Sequence, residues 1–185
     1  PGVGTDIVPT DCLAAMLKER LPAATRIDLA FSFGTSPSIG TVKTSIESVG
    51  KGGLIREGGR LKTVPNAYRM KKIPFQNQPQ WAVTIPWGDV FTSGISTGVP
   101  DGMVYMAMTK LIIYMLRLSN PFKGIMNTRF GQDLGKSLVS KFIKKGPDEQ
   151  ARETQRGQFW GGAEAPGGDK VEMTMSTPNV YSLPV

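Results

Sequence analysis

The strongest turn signal in the chain is the pair Gly58-Gly59, set between two stretches of strand-like composition. Two adjacent glycines supply the positive φ angles of a tight two-residue hairpin, so residues Leu54 to Val64 are expected to fold back on themselves. Further segments repeat that logic. Arg26 to Phe33 alternates, with Ile27, Leu29, Phe31 and Phe33 on one side and Arg26, Asp28 and Ser32 on the other, which predicts a half-buried strand. Arg69 to Phe75 and Trp81 to Pro86 read as strands around the polar loop Gln76-Asn77-Gln78-Pro79. Gln158 to Ala163 and Lys170 to Ser176 form a last hairpin about Pro166-Gly167-Gly168-Asp169.

Helices fall between these strands. Thr10 or Asp11 can cap a helix from Cys12 to Leu21, with Leu13, Met16 and Leu17 as its apolar stripe and Pro22 as its stop. Thr41 to Val49 follows a glycine- and serine-rich loop from Gly34 to Gly40. Asp89 can cap a short helix towards Thr97, and Met103 to Met108 reads as a strand leading into a helix from Thr109 to Leu118. Gln132 to Lys145 carries Leu134, Leu138, Phe142 and Ile143 at helical spacing, and the charged residues 146–157 follow as a loop. Hairpins outnumber βαβ units. The expected fold is therefore α+β, a mainly antiparallel sheet with helices on one face, formed by residues 1–185 as a single domain.

Composition narrows the chemistry. There is no histidine, which removes the commonest general base and most zinc sites, and the single Cys12 cannot form an internal disulfide. A reducing, cytoplasmic setting is the expectation. No apolar run reaches the roughly 18 residues of a membrane span. Lys and Arg exceed Asp and Glu by 22 to 15, a net charge of +7, which raises nucleic acid, anionic lipid or an anionic cofactor or substrate as partners. The basic stretch Lys136, Lys141, Lys144, Lys145, Arg152 and Arg156 is diluted by Asp148, Glu149 and Glu153 and lacks interleaved aromatic residues. A solvated helix face explains it better than a nucleic-acid surface.

Three segments carry candidate chemistry, each beside a plainer reading. Asp6 and Asp11 flank Pro9 and can project into a cleft, or can simply close a turn and cap the helix. Ser38, Gly40, Thr41, Lys43 and Thr44 open a helix and can hold an anion at its N-terminus, though Ser and Thr also serve as ordinary caps. Trp87 and Asp89, with Ser96 and Thr97, can wall a pocket or pack beneath a strand end. Gly52-Gly53 and Gly58-Gly59 lack the GxGxxG spacing of a dinucleotide site. The methionines from 103 to 115 read as core filler.

In order along the chain, these segments resemble the saccharopine dehydrogenase-like family. Gly4, Asp6, Pro9 and Asp11 match the stretch that follows its nucleotide-binding domain, with Thr5 where the family usually has Phe. Ser38-Ile39-Gly40-Thr41 with Thr44 resembles its S-x-G-T-x-x-T loop. Ile85-Pro86-Trp87-Gly88-Asp89 and Ser96-Thr97-Gly98 resemble its IPWGD and STG segments, and Trp160-Gly161, Thr177-Pro178 and Tyr181 follow in order. The pattern looks nearest to the bacterial branch with trans-acting enoyl reductases.

That resemblance implies the substrate-side domain of an NAD(P)-dependent oxidoreductase, expected here without its N-terminal Rossmann domain and inactive alone. The cofactor would be held mainly by the absent domain. Asp6, Asp11, Ser38, Gly40, Thr41, Lys43, Thr44, Trp87, Asp89, Ser96 and Thr97 would line the cleft for a small-molecule or lipid-like substrate, an enoyl, imine or carbonyl compound. Expected partners are that Rossmann domain and a second copy, with no nucleic acid and no specific indication of membrane contact. A non-catalytic association domain and an anionic-surface binder are the competing readings. No metal is expected, and no catalytic proton donor is assigned.

Overall fold

A computed structural model describes residues 7–33, 51–122, 124, 128, 131 and 156–177. The helices expected at 41–49 and 132–145 and the loop expected at 34–40 lie outside the described residues, as does the loop expected at 146–157 except for its last two residues, of which Gly157 opens a strand. The described elements run α1 (Val8–Arg20), β1 (Arg26–Ser32), β2 (Gly53–Glu57), β3 (Arg60–Val64), β4 (Met70–Pro74), β5 (Pro79–Thr84), α2 (Asp89–Thr97), β6 (Asp101–Ala107), α3 (Lys110–Leu118), a 3-10 turn at Asn120–Phe122, β7 (Gly157–Glu164) and β8 (Lys170–Thr177).

The eight strands form one sheet. Its main path is β3-β2-β6-β1-β7-β8, and the β4–β5 hairpin joins through β5 to the far end of β6. β1 and β6 pair in parallel, Arg26 opposite Asp101, and the other six pairings are antiparallel. The fold is therefore the expected α+β arrangement with a mostly antiparallel sheet. Gly58 and Gly59 sit at φ of +58° and +76°, the two left-handed positions that the β2–β3 turn requires. Asp101 Oδ1 accepts from the Gly58 N–H at 2.7 Å, and the Pro100 carbonyl accepts from Gly59 at 2.9 Å, so the turn is tied to the start of β6.

α1, α2 and α3 lie on one face. Leu13, Ala14 and Leu17 of α1 pack with Ile27, Leu29 and Phe31 of β1, Val90 of α2, Val104 of β6 and Phe159 of β7. Gly161 of β7 lets α1 approach: a Cβ there would stand 2.6 Å from Leu17 Cδ1. Ile113 of α3 packs with Ala67 and with Val83 of β5.

The opposite face is covered too, which corrects the half-buried reading of β1: from Ile27 to Ser32 every residue is buried. Lys71 of β4 reaches Asp28 of β1 at 3.4 Å, although three strand spacings, roughly 14 Å in a flat sheet, separate the two. The β4–β5 hairpin must therefore curl over the sheet. Ser32 Oγ donates to Gln80 Oε1 at 3.1 Å, and Ile73 and Phe75 join Ala30, Tyr105 and Trp160 in a second core. The sequence reading treated each hairpin as a local unit and did not contain this curl.

Two helix starts also differ from expectation. α1 begins at Val8, four residues early, because Pro9 suits the first turn with its fixed φ and missing N–H. Neither Thr10 nor Asp11 caps it; Ile7 is the cap residue, and the Thr10 hydroxyl donates back to the Ile7 carbonyl at 2.9 Å. Met16 points outward, so the buried stripe is Thr10, Leu13, Ala14 and Leu17. In α2 the cap position falls on Gly88, with Asp89 inside the first turn, and Gly98 closes the helix at φ +67°.

Candidate functional site

Asp6, Ser38, Gly40, Thr41, Lys43 and Thr44 lie outside the described residues. The remaining candidates meet where α1 crosses α2. Ser96 Oγ of α2 donates to Asp11 Oδ2 of α1 at 2.6 Å, across 85 residues of sequence. Asp11 Oδ1 is shielded from solvent and has no hydrogen-bond partner among the described residues. Ile7, at the α1 entry, lies over Gly88: a Cβ on that glycine would be 3.0 Å from Ile7 Cδ1. The segment around Asp11, the Ile85–Asp89 turn and the Ser96-Thr97-Gly98 end of α2 therefore share one region of the helix layer.

Within that region the side chains divide. Ser96 is exposed and Asp11 half-buried, while Asp89 is fully buried at the start of α2. Thr97 turns inward, its hydroxyl donating to the Ser93 carbonyl and accepting from the Val99 N–H. Trp87 is half-buried, and its ring stacks at 5.1 Å on Phe31 against the helix-side core. Asp11 and Ser96 are thus a polar pair between the two helices, with the Ser96 side exposed and Asp11 Oδ1 shielded from solvent.

A second polar region, on the other side of the sheet, was not read from the sequence. Asp28 forms an ion pair with Arg26 Nη2 at 3.0 Å and accepts from Lys71 Nζ at 3.4 Å. The Lys71 ammonium also lies 4.2 Å from the Trp160 ring centroid and 4.8 Å from that of Tyr105, within cation–π range. Trp160 Nε1 donates to Glu172 Oε2 at 3.1 Å. Burial works against the Arg26 charge, but Asp28 together with Tyr105 and Asp101 outweighs it and holds the guanidinium above its ordinary value. Burial, reinforced by the Asp28 charge, pushes the Tyr105 phenol well above the usual tyrosine range.

A cavity of about 110 Å³ lies over this cluster, bounded by Lys71, Trp160, Lys170 and Glu172. It adjoins a more open depression of about 390 Å³ that shares Arg26 and Glu164 and extends to Arg69 and Asp101. Positive and negative groups alternate here and largely neutralise one another. Lys170 pairs with Glu164 at 3.3 Å, and Asp28 is taken by two cations. The cluster fastens the curled hairpin to the sheet. Its only sequence sign is the alternation that placed Arg26 and Asp28 on the polar side of β1.

Arg56 is a third residue that sequence reasoning passed over. It is 5% exposed, and its guanidinium runs between Gly94 of α2 and Gly102 of β6, donating to the Val90 carbonyl at 2.6 Å and Ser93 Oγ at 3.3 Å. Burial lowers its pKa, with the Asp101 charge opposing. It clamps α2, and therefore Ser96, to the sheet.

Two kinds of site find no support in this geometry. Among the described residues no group of three or more Cys, Asp or Glu side chains is placed to hold a metal ion. Gly52-Gly53 and Gly58-Gly59 lead into and out of β2 rather than a strand-to-helix turn, so these glycines do not form a dinucleotide-type phosphate turn. Among those residues no helix is long and apolar enough to cross a membrane.

No protein-family model and no curated protein matches the chain. Among solved structures it is similar to the apo, histidine-tagged saccharopine dehydrogenase (L-Glu forming) from Saccharomyces cerevisiae, with a TM-score of 0.50 at 8% sequence identity. The similarity covers 95% of this chain and 58% of that enzyme, so the chain spans little more than half its length. At such identity the likeness is one of fold: the chain carries a saccharopine dehydrogenase-like fold.

Proposed function

We propose that this chain is the substrate-side domain of an NAD(P)-dependent oxidoreductase, in the branch with trans-acting enoyl reductases, acting on an enoyl, imine or carbonyl compound. The observation that carries the reading is the Asp11–Ser96 contact, because it joins two of the three candidate segments across 85 residues of sequence. The fold likeness over 95% of the chain supports it, as does the order of the matching segments.

In this reading the nicotinamide, held by a separate domain, supplies the hydride chemistry. The described residues of this chain bind and orient. Asp11 Oδ2 orients the exposed Ser96 hydroxyl, whose oxygen then accepts from a donor group of the substrate and sets its position before reaction. Trp87 backs the site with apolar surface, and Arg56 holds α2 so that Ser96 keeps its place. The family resemblance assigns Asp6, Ser38, Gly40, Thr41, Lys43 and Thr44 to the same role. Asp89 and Thr97 act from beneath by shaping the start and end of α2.

The test is a fluorescence titration of the intact parent protein with NADPH and NADH, with the 185-residue chain as control. Binding by the parent alone supports the division of labour, and D11N or S96A should then impair turnover without weakening cofactor binding. A parent that binds neither nucleotide removes the hydride-transfer reading.

A further inference from the structure

We propose that α3 is a membrane-surface element that seats this chain on anionic lipid. Leu111, Tyr114, Met115 and Leu118 stand at the i, i+3, i+4, i+7 spacing that normally marks the core-facing side of a helix. Here that stripe faces outward: Leu111 is 69% and Leu118 72% exposed, with Tyr114 and Met115 above half. The inward side is carried by Ile113 alone, fully buried against Val83 and Ala67, with Leu116 half-buried beside it. A short helix with its larger apolar face in solvent is a poor soluble element, and a good interfacial one when cations frame it.

The frame is basic. Between residues 58 and 132 there are nine Lys and Arg against two carboxylates, whereas 1–57 carries six of each and 133–185 seven of each. The whole excess of +7 therefore sits in the segment that contains α3. Of the two carboxylates, Asp89 is fully buried, and Asp101 is turned to the β2–β3 hairpin.

Space agrees with sequence. Lys110 opens α3 and lies 4.6 Å from the ring of Trp81, whose cross-strand partner is the exposed Lys72. At the other end Arg117 donates to the Ala67 carbonyl at 3.1 Å, beside the exposed Tyr68 and Arg69. Lys and Arg at both ends, with Trp81 and Tyr68 at the rim, are the residue types that settle at the headgroup level while aliphatic side chains go deeper. Charge complementarity selects an anionic bilayer surface as the occupant. The proposal does not depend on the oxidoreductase reading.

The test uses the 185-residue chain and flotation with phosphatidylcholine vesicles, with and without phosphatidylserine, at low and high salt. Binding is expected to phosphatidylserine vesicles only and to weaken with salt. L111S and L118S should each lower partitioning roughly tenfold. K72Q and K110Q should each lower it about fivefold. All four positions are exposed, so far-UV circular dichroism should stay unchanged. A Y114W variant adds a depth readout: brominated lipid should quench it in the bound state, and iodide in the free state. The proposal is overturned by absence of binding at low salt, or by binding that L111S and L118S leave intact. It is equally overturned if Y114W is shielded from iodide in the free chain. Shielding that appears only on dimerisation would assign the stripe to a second copy instead.

Discussion

Adding one methyl group at Gly94 should cost this domain a large part of its stability, for a reason that can be isolated. A Cβ at Gly94 would stand 2.1 Å from Nη1, 2.5 Å from Cζ and 2.8 Å from Nε of Arg56, far inside van der Waals contact. The guanidinium cannot retreat freely, because Gly102 of β6 closes the other side, where a Cβ would already be 3.1 Å from Nη2. G94A must therefore displace Arg56 from the Val90 carbonyl and Ser93 Oγ. Hydrogen bonds to a charged group are worth about 1.5–3 kcal/mol each, and replacing glycine by alanine inside a helix returns about 1 kcal/mol. The expected net loss is about 2–5 kcal/mol, against a typical domain stability of roughly 5–15 kcal/mol. The assay is urea unfolding of G94A, R56L and the double variant, with stability taken from the midpoint at constant slope. In the R56L background the methyl group meets no guanidinium, so G94A should fall within about 1 kcal/mol of neutral. Equal penalties in both backgrounds would refute the account, since the cost would then lie in α2 itself.

Three other outcomes follow from the same geometry. G161V should overpack the α1–β7 contact, where even a Cβ lies 2.6 Å from Leu17 Cδ1, and lower the unfolding free energy by about 1–3 kcal/mol or more. D11N and S96A should each cost only about 0.5–1.5 kcal/mol in unfolding, because their bond is solvent-accessible, and on the proposed function should lower kcat/KM of the parent protein at least about tenfold. Tyr105 gives the domain an alkaline limit: its native phenol ionises later than that of the unfolded chain, so stability is complete below about pH 10 and falls as pH rises above it. Y105F should abolish both that added alkaline loss and the late-ionising phenol in an ultraviolet titration. It should cost about 0.5–1.5 kcal/mol at neutral pH, since the hydroxyl meets Met103 Sδ at 3.5 Å and also interacts with Arg26.

Much of the framework was legible because its instructions are local. Gly58-Gly59 and Pro166-Gly167-Gly168-Asp169 carry turn geometry within four residues, and the hairpins around them formed with bounds within one residue of expectation. The parts tied to function depend on contacts between distant segments. Nothing beside Lys71 in the sequence says that β4 curls back to Asp28, 43 residues away. Arg56 reads as one residue of a hairpin strand until Gly94 and Gly102, from a helix and another strand, leave it a channel. The α3 helix was expected, but the methionines from 103 to 115 read as core filler and Met115 is exposed, because residue type alone does not say which side of a helix meets the core.

Asp11 shows why a local reading of a site residue stays ambiguous. An Asp just ahead of an apolar helical repeat is what a cap looks like, and it is also what a carboxylate aimed across to another helix looks like. Two local facts separate the readings. Pro9 suits the first turn and moves the helix start upstream, so Asp11 falls inside the helix, where capping is no longer open to it. Gly98 then ends α2 one turn beyond Gly94, which leaves Ser96 exposed on the last turn rather than under a continuing helix. Each fact is written in sequence, but only the packing of α1 against α2 makes them bear on one oxygen atom. The candidate site is thus encoded less by its polar residues than by the proline and glycines that fix where two helices begin and end.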